Sequence, residues 1–266
     1  LLHASGRHAG GRWAVFTPGT PEFYRRPEVA HWLALLARRW QSPVQLVEGG
    51  SEFFTVFADQ PVRLGARITN RGSAPRDNLQ VLLTVIERET GKLPHRVQQA
   101  LDLAPGETRA VESTWTPATW PVAGCTVAVQ LLEGGQVVDE LHHELNRWIP
   151  PTAPEFVTIR EGGFERGNRL WRPHGVNYMP SSGIGINSEY FEYWLGRGAY
   201  DPEVIERDLR RVKAVGLNAV SAFIYHRDLG AQHLLDFLFR CARLDVKVNL
   251  SLRPGTPMEF RRAEMP

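Results

Sequence analysis

The strongest constraint on the fold is the stretch YDPEVIERDLRRVKAVGLNAVSAFIY, which starts at Tyr200. Asp201 is a good N-cap, Pro202 suits the first helical position, and Gly216 can end the helix in the left-handed conformation. One side of this helix is apolar at helical spacing, through Ile205, Leu209 and Val212. NAVSAFIY is then almost continuously apolar, as is typical of a strand covered on both faces. The stretch therefore predicts a capped helix that leads into a buried strand.

The same unit recurs along the chain. A second helix is predicted for AQHLLDFLFRCARL and a third strand for VKVNLSL, while RLWRPHGVNY supplies the first strand. Each crossover is long enough to require parallel pairing, so an open twisted sheet and a (β/α) barrel both fit. The phosphate loops G-x-G-x-x-G and G-x-x-x-x-G-K, which mark many open sheets, do not occur in the sequence. We therefore expect residues 155–266 to form the first part of a (β/α)8 TIM barrel, truncated after about the third strand.

A different pattern fills residues 44–148. Short runs in which apolar residues alternate, such as Val62–Ile68 and Val81–Val85, are separated by turn signals that include NRG and EGG. This pattern predicts an antiparallel β-sandwich of about 100 residues. NRWIPPTAPEF follows, and its three prolines predict a stiff linker between domains. Trp115 and Trp120 are expected to pack in the sandwich or against a neighbouring domain.

Residues 1–41 are too few for a core of their own. They predict one strand, RWAVFT, and one helix from Pro27 to Trp40. A single strand and a single helix do not make a stable domain, so these residues are expected to be the C-terminal end of an α/β domain. Since the sequence also starts at Leu1 without a methionine, we expect the chain to be an internal piece of a longer protein.

Composition argues against several classes of function. The 31 basic and 29 acidic residues are scattered and nearly balanced, so no nucleic-acid surface is indicated. No apolar run reaches the ~18 residues that would span a bilayer, so no membrane is expected as a partner. Cys125 and Cys241 fall in different predicted domains, so we expect no disulfide, and no Cys or His spacing fits a metal site. No cofactor is implied, and the oligomeric state stays open.

Polar and aromatic side chains follow each predicted strand of the barrel. In a barrel the carboxyl ends of the strands converge on the face where active sites lie. Aromatic rings beside hydrogen-bonding groups suit a sugar, whose ring has a C–H face for stacking and hydroxyls around its edge. We therefore predict an oligosaccharide or polysaccharide substrate. The candidate substrate-binding residues are Asn177, Tyr178, Tyr225, His226, Arg253 and Trp194.

GNRLWRPHGVNYMPSS followed by YDPEVIERDLRRVKAVGLNAVSAFIYH resembles the opening of the clan A glycoside hydrolase barrels, in which D-L-x-x-x-K-x-x-G-L-N-x-V leads to the second strand. Asp208, Lys213 and Asn218 match that pattern. The resemblance implies hydrolysis of O-glycosidic bonds by two glutamates that follow the fourth and seventh strands. Both would lie beyond this sequence, so we expect no catalytic residue within it. Many members carry an arginine directly after the G-L-N-x-V run, where this chain has Ser221.

Two further resemblances concern the other predicted domains. ARITNRGSAP and LDLAPGETRAVESTWTP resemble parts of the adhesion-type immunoglobulin-like modules of extracellular bacterial proteins, which favours an extracellular or cell-envelope location. GGRWAVFTPGTPEFYRRPEVAHWLALLARRW resembles the last strand and helix of glutamine-amidotransferase-like domains attached to some bacterial sugar hydrolases. Two other interpretations stay open. One is a non-catalytic carbohydrate-binding or adhesion protein that works through its sandwich, and the other is a barrel enzyme that uses a metal or a phosphate.

Overall fold

A computed structural model gives the fold for most of the chain. The residues that it describes are 16–57, 60–149, 152–153, 155–180, 194–196, 199–225 and 230–253. The chain divides into two units. Unit 1 consists of Leu1–Glu52 and Pro61–Leu145, and unit 2 consists of Phe53–Gln60 and Asn146–Pro266.

In the described part of unit 1, two helices precede the first strand. α1 is a single turn, Pro21–Tyr24, and α2 runs over Pro27–Gln41, one residue beyond the predicted end. Pro27 occupies the first turn, where its missing N–H costs no hydrogen bond. A guanidinium nitrogen of Arg39 lies 3.2 Å from a carboxylate oxygen of Asp139 and ties the helix to unit 1. The predicted strand RWAVFT falls mostly outside the described residues.

The described residues between Val44 and Trp148 form eight strands. In chain order they are β1 (Val44–Ser51), β2 (Thr55–Phe57), β3 (Val62–Asn70), β4 (Arg76–Glu87), β5 (His95–Leu103), β6 (Thr108–Trp115), β7 (Cys125–Glu133) and β8 (Gln136–Trp148). All except β2 pair antiparallel in two sheets, with strand orders β1-β3-β6 and β5-β4-β7-β8. Unit 1 is thus built mainly from antiparallel β-structure.

The facing sides of the two sheets form the core of unit 1. Alternate residues of the central strands are at most 2% exposed, namely Val62, Leu64, Ile68, Val81, Leu83, Val85, Val127, Val129 and Leu131. In β3 this alternation shows that one face of the strand is covered and the other meets water. In β4 the opposite face is also buried at Leu82 and Thr84. Unit 1 is therefore a β-sandwich, as the sequence predicts. Trp115 is buried at the end of β6, and its ring centroid lies 5.3 Å from that of Trp120.

Unit 2 contains a small antiparallel sheet ahead of its parallel one. Its strands are β9 (Val157–Arg160), β10 (Gly163–Arg166) and β11 (Arg169–Leu170), in the order β11-β10-β9. Arg166 forms ion pairs with Asp245, at 2.8 Å, and with Glu155. The pair with Asp245 fixes the end of β10 to the turn that precedes the last described strand, and the pair with Glu155 fixes it to the residues before β9.

The parallel sheet of unit 2 follows the predicted order of strands and helices. Its elements are β12 (Gly175–Tyr178), α3 (Pro202–Ala214), β13 (Ala219–Tyr225), α4 (Ala231–Arg243) and β14 (Lys247–Arg253). The strands pair in parallel in the order β12-β13-β14. The Asp201 carboxylate caps α3 by accepting from the amides of Glu203 and Val204 at 3.1 and 3.0 Å, as predicted. Gly216 has φ +85°, which allows the left-handed turn after the helix.

Both helices pack on the same face of this sheet. One buried cluster contains Ile205 and Leu209 from α3, Phe237 and Cys241 from α4, and Val220, Ala222 and Ile224 from β13. Right-handed crossovers between strands in sequential order place successive helices on one side. The opposite face of the sheet therefore carries the side chains that alternate with these apolar residues.

β2 belongs to unit 2 although it lies between two strands of the sandwich in sequence. Thr55–Phe57 pair in parallel with Asn146–Trp148, the last residues of β8. Thr55 is fully buried and Val56 is 2% exposed. The sequence pattern did not predict that this segment, which lies between two sandwich strands in the chain, belongs to unit 2. None of the helices that the structure describes combines the length and the apolar character needed to cross a membrane.

Candidate functional site

The exposed face of the parallel sheet carries a row of three hydrogen-bonding side chains. Asn177 of β12 is in register with Ser221 of β13, and Ser221 is in register with Asn249 of β14. The amide Nδ2 of Asn249 donates to the Ser221 hydroxyl oxygen at 3.4 Å, a long hydrogen bond. Asn177 and Asn249 are exposed and Ser221 is partly exposed. The row therefore offers amide and hydroxyl groups that can both donate and accept hydrogen bonds.

Tyr178 lies on the other face of the same strand. It is 5% exposed, and its ring stacks on that of Phe237 with a centroid distance of 5.8 Å and an interplanar angle of 5°. Its hydroxyl has no hydrogen-bond partner among the described residues. Burial, reinforced by the nearby Asp208 charge, raises the pKa of this phenol above its ordinary value. Tyr178 thus contributes to the core, and its predicted contact with a sugar stays a prediction.

Trp194 also lies in this core. The side chain is 1% exposed, and its ring meets those of Tyr178 and Phe237 edge-on at centroid distances of 6.0 and 5.2 Å. The indole Nε1 donates to the carbonyl oxygen of Phe223 at 3.3 Å. This arrangement anchors the end of the loop after β12 to β13. A stacking platform needs an exposed ring face, which the described packing of Trp194 covers.

The remaining predicted residues stand at the carboxyl ends of the strands. Tyr225 and Arg253 are in register at the ends of β13 and β14. Their side chains and the whole of His226 lie outside the described part of the chain. The sheet therefore brings the backbones of Tyr225 and Arg253 together, and the roles of all three residues stay predictions.

An acidic side chain that sequence reasoning missed lies at the centre of a buried hydrogen-bond cluster. Asp236 of α4 is 1% exposed. Its Oδ1 accepts from the Thr55 hydroxyl at 2.6 Å and from Arg240 at 3.3 Å. Its Oδ2 accepts from Arg240 Nε at 2.7 Å and from the Tyr200 hydroxyl. Both oxygens are thus occupied, which suits a structural carboxylate rather than a nucleophile or a general acid.

Glu206 of α3 extends the cluster toward solvent. Its carboxylate lies 2.7 Å from Arg210, 3.1 Å from Arg243 and 3.4 Å from Arg240. Two features of the sequence could have indicated these ion pairs, namely the i,i+4 spacing of Asp236 and Arg240 and the same spacing of Glu206 and Arg210. Neither signal reveals that the two pairs meet, because the helices are separated in sequence. The described carboxylates of this cluster are held by arginines, and no group of three or more described residues could hold a metal ion.

Two residues that carry the sequence resemblance have structural roles. The Asn218 side chain accepts from the His174 amide at 2.8 Å and donates to the Arg172 carbonyl at 2.9 Å. The Lys213 ammonium donates to the Asp245 carbonyl at 3.2 Å. Asn218 fixes the segment before β12 beside the start of β13, and Lys213 joins α3 to the turn before β14. These motif positions therefore support the sheet on which the polar row stands.

No family model matches the sequence, and no curated protein matches it. Among solved structures, a glycosyl hydrolase family 2 member from Bacteroides cellulosilyticus is 18% identical, with 78% of this chain and 26% of that chain covered and a TM-score of 0.38. A β-glucuronidase from Bacteroides uniformis is 16% identical, with 80% and 24% covered and a TM-score of 0.35. The CARDB domain of a Pyrococcus furiosus protein is 15% identical, with 39% and 91% covered and a TM-score of 0.30. The chain spans about a quarter of the length of the two glycosidases.

Proposed function

We propose that the chain is part of a carbohydrate-active enzyme that hydrolyses O-glycosidic bonds, and that the polar face of its parallel sheet forms one wall of a sugar cleft. The row of Asn177, Ser221 and Asn249 carries this proposal. Its groups match the hydroxyls of a sugar, each of which donates and accepts hydrogen bonds. Three such residues in one layer of a parallel sheet are unlike the Val, Ile and Leu that usually fill this position.

The strand order supports a barrel as the setting of this wall. In a doubly wound sheet the order reverses and helices cover both faces. In β12-β13-β14 the order is sequential and both described helices lie on one face, an arrangement that a barrel shares with one half of a doubly wound sheet. The second face, however, carries the polar row in place of the apolar side chains that a second layer of helices would cover. A sheet of this kind covers its second face by closing on itself. We propose that the three strands open a (β/α)8 barrel, that unit 1 is an immunoglobulin-like module of the adhesion type, and that residues 1–41 end an amidotransferase-like domain.

The chemistry is assigned to two glutamates outside this sequence. Hydrolysis requires two carboxyl groups on either side of the scissile bond, about 5–5.5 Å apart in a retaining enzyme. On the described polar face the side chains in register are amides and a hydroxyl, and Asp236 and Glu206 lie on the helix side with arginine partners. The proposed role of this chain is therefore to bind and orient the sugar.

A panel of aryl glycosides tests the proposal. The 266-residue chain and a chain that continues beyond Pro266 are purified and assayed side by side. We expect turnover only by the longer chain, since the two glutamates are assigned to it. Turnover by the 266-residue chain would contradict that assignment. A longer chain that binds sugars and hydrolyses none would instead support a non-catalytic binding protein.

A point variant tests the role of the polar row. In the longer chain, Asn177→Ala removes one amide and should raise KM about fivefold, the factor that corresponds to the loss of ~1 kcal/mol of hydrogen bonding. The matched control is Gln98→Ala, which removes an exposed amide from β5 of the sandwich and should leave KM unchanged. An unchanged KM for Asn177→Ala, or equal effects of both substitutions, would remove the polar row from the site.

A further inference from the structure

The loop between β12 and α3 ends in a segment, residues 194–196 and 199–200 in its described part, that is held by several hydrogen bonds. In its described part, the Leu195 carbonyl accepts from the Gly230 amide at 3.2 Å and makes a 2.8 Å hydrogen bond with the His233 ring nitrogen Nδ1. The amides of Ala199 and Tyr200 donate to the Gly196 carbonyl at 3.2 and 3.1 Å. The segment therefore has a defined conformation at the carboxyl edge of the parallel sheet.

Tyr200 fixes this segment to α4 through two kinds of contact. Its ring stacks on that of His233 with a centroid distance of 4.4 Å and an interplanar angle of 2°. Its hydroxyl donates to Asp236, and burial followed by the Asp236 charge raises the pKa of the phenol. The phenol thus stays protonated and remains a donor to the carboxylate over the physiological pH range.

At its other carboxylate oxygen, Asp236 is held by the segment that contains β2. The Thr55 hydroxyl donates to the carboxylate at 2.6 Å, and Thr55 is fully buried. The ring of the neighbouring Phe54 lies 6.2 Å from that of Tyr200. One segment thus contacts both members of the Tyr200–Asp236 pair. A charge-assisted hydrogen bond between buried groups is stronger than a neutral one and restricts the geometry of both partners.

We propose that the segment Phe53–Phe57 positions the described end of the loop after β12, residues 194–196 and 199–200, by acting through Asp236 and Tyr200. Thr55 and Asp236 are then positioning residues for the sugar-binding edge of the sheet. The described contacts of the loop are independent of any substrate. Only the statement that the loop borders a sugar site rests on the proposed function. The pairing with β8 and the Thr55 hydrogen bond are contacts of this segment within unit 2, whereas its neighbours in sequence belong to unit 1.

A pair of substitutions at Thr55 separates the hydrogen bond from packing. Thr55→Val keeps the shape and loses the hydroxyl, whereas Thr55→Ser keeps the hydroxyl and loses a methyl group. The control is Thr84→Val, at a 7% exposed threonine in β4 of the sandwich. Amide hydrogen exchange of the 266-residue chain is followed at Ala199, Tyr200 and Gly230, and β13 provides the reference within unit 2.

In Thr55→Val we expect exchange at these three amides to accelerate about tenfold relative to β13, the scale of a lost hydrogen bond to a charged group. Thr55→Ser and Thr84→Val should leave unchanged the ratio of the exchange rates at the three amides to those in β13. Equal acceleration in β13 and the loop would mean that Thr55 only stabilises unit 2, and unchanged exchange would mean that it does not hold the loop. Either result would overturn the inference.

Kinetics of the longer chain then distinguish this inference from the proposed function. Positioning of a substrate-binding loop predicts a higher KM for Thr55→Val, with recovery in Thr55→Ser and a smaller change in kcat. If the exchange pattern appears and the longer chain hydrolyses no glycoside, the loop is held as inferred and the proposed function is wrong. If hydrolysis occurs and the exchange pattern is absent, the proposed function stands and the positioning role is wrong.

Discussion

Replacement of Arg240 by Met should destabilise unit 2 strongly, because it leaves Asp236 without its arginine. The side chains of the two residues are 2% and 1% exposed, and their charged atoms approach to 2.7 Å. Breaking a buried ion pair costs about 3–5 kcal/mol in free energy of unfolding. The hydroxyls of Thr55 and Tyr200 still donate to Asp236 in the variant, so we expect about 3 kcal/mol, at the lower end of that range. With a urea dependence of ~2 kcal/mol per M, the midpoint should fall by about 1.5 M.

The two cysteines make this loss measurable for each unit separately. The chain contains only Cys125, in unit 1, and Cys241, in unit 2, and both side chains are at most 1% exposed. Burial raises the pKa of each thiol, so both react slowly until their unit unfolds. Pulsed alkylation in increasing urea, read by mass spectrometry, therefore gives one midpoint per unit. Arg240→Met should lower the Cys241 midpoint, and the Cys125 midpoint provides an internal reference.

Arg243→Met is the matched control on the same helix. The Arg243 side chain is 34% exposed and lies 3.1 Å from the Glu206 carboxylate. An ion pair that solvent reaches in this way contributes about 0–1 kcal/mol to the free energy of unfolding. In Arg243→Met the urea midpoint for alkylation of Cys241 should fall by less than about 0.5 M. In a double-mutant cycle, Asp236→Asn with Arg240→Met should cost less than the sum of the single variants, because no unpaired charge stays buried. Equal midpoint shifts for Arg240→Met and Arg243→Met, or strict additivity in the cycle, would refute this account of the cluster.

Two further predictions concern other parts of the molecule. Asn218→Ala removes two hydrogen bonds to the backbone before β12 and should lower the free energy of unfolding of unit 2 by about 1–2 kcal/mol, measured by the same Cys241 assay; an unchanged midpoint would contradict the structural role of this amide. Burial, followed by the Glu87 charge, raises the pKa of Cys125 to about 11 from an ordinary value of 9.0, so its stabilising contribution is complete below pH 9 and is lost as the pH rises through 11. Hydrogen exchange in β4 should therefore show unit 1 weakening over this range, and Cys125→Ala should reduce that slope.

The sequence predicts those elements whose determinants are local. The N-cap Asp201, Pro202 and the left-handed Gly216 define α3 within a few residues of chain, and the structure contains the helix with that cap. The alternation in Val62–Ile68 identifies a sandwich strand because its period follows directly from the covered face. Parallel pairing of β12, β13 and β14, the last three strands that the structure describes, follows from the length of the crossovers.

The buried cluster could not be predicted in the same way. Thr55 and Asp236 are 181 residues apart in sequence, and no periodic pattern connects them. β2 is three residues long, and the sequence on either side of it has the pattern of sandwich strands. Its place in unit 2 depends on pairing with the end of β8, which is a tertiary contact. Sequence patterns fix the local conformation of such a segment far better than they fix its partner.

Side-chain direction explains why one of two adjacent candidate site residues lies in the core and the other on the polar face. Tyr178 and Asn177 are adjacent at the end of β12, so they point to opposite faces of the sheet. The register pairs Tyr178 with Ala222, on the face that α3 and α4 cover, and pairs Asn177 with Ser221 on the polar face. Polarity and position at a strand end suggested both residues equally. Only the register assigns Asn177 to the face proposed to bind sugar.

The residues that matched the glycosidase pattern most closely are those whose contacts are structural. Asn218 bonds the backbone before β12, and Lys213 bonds the backbone before β14. These contacts support the parallel sheet of this chain and do not depend on what its site binds. Ser221, the position at which this chain departs from the pattern, lies instead in the middle of the polar row. The matching positions therefore bear on the form of the sheet, whereas the binding proposed for its polar face involves residues such as Ser221 that the pattern does not share.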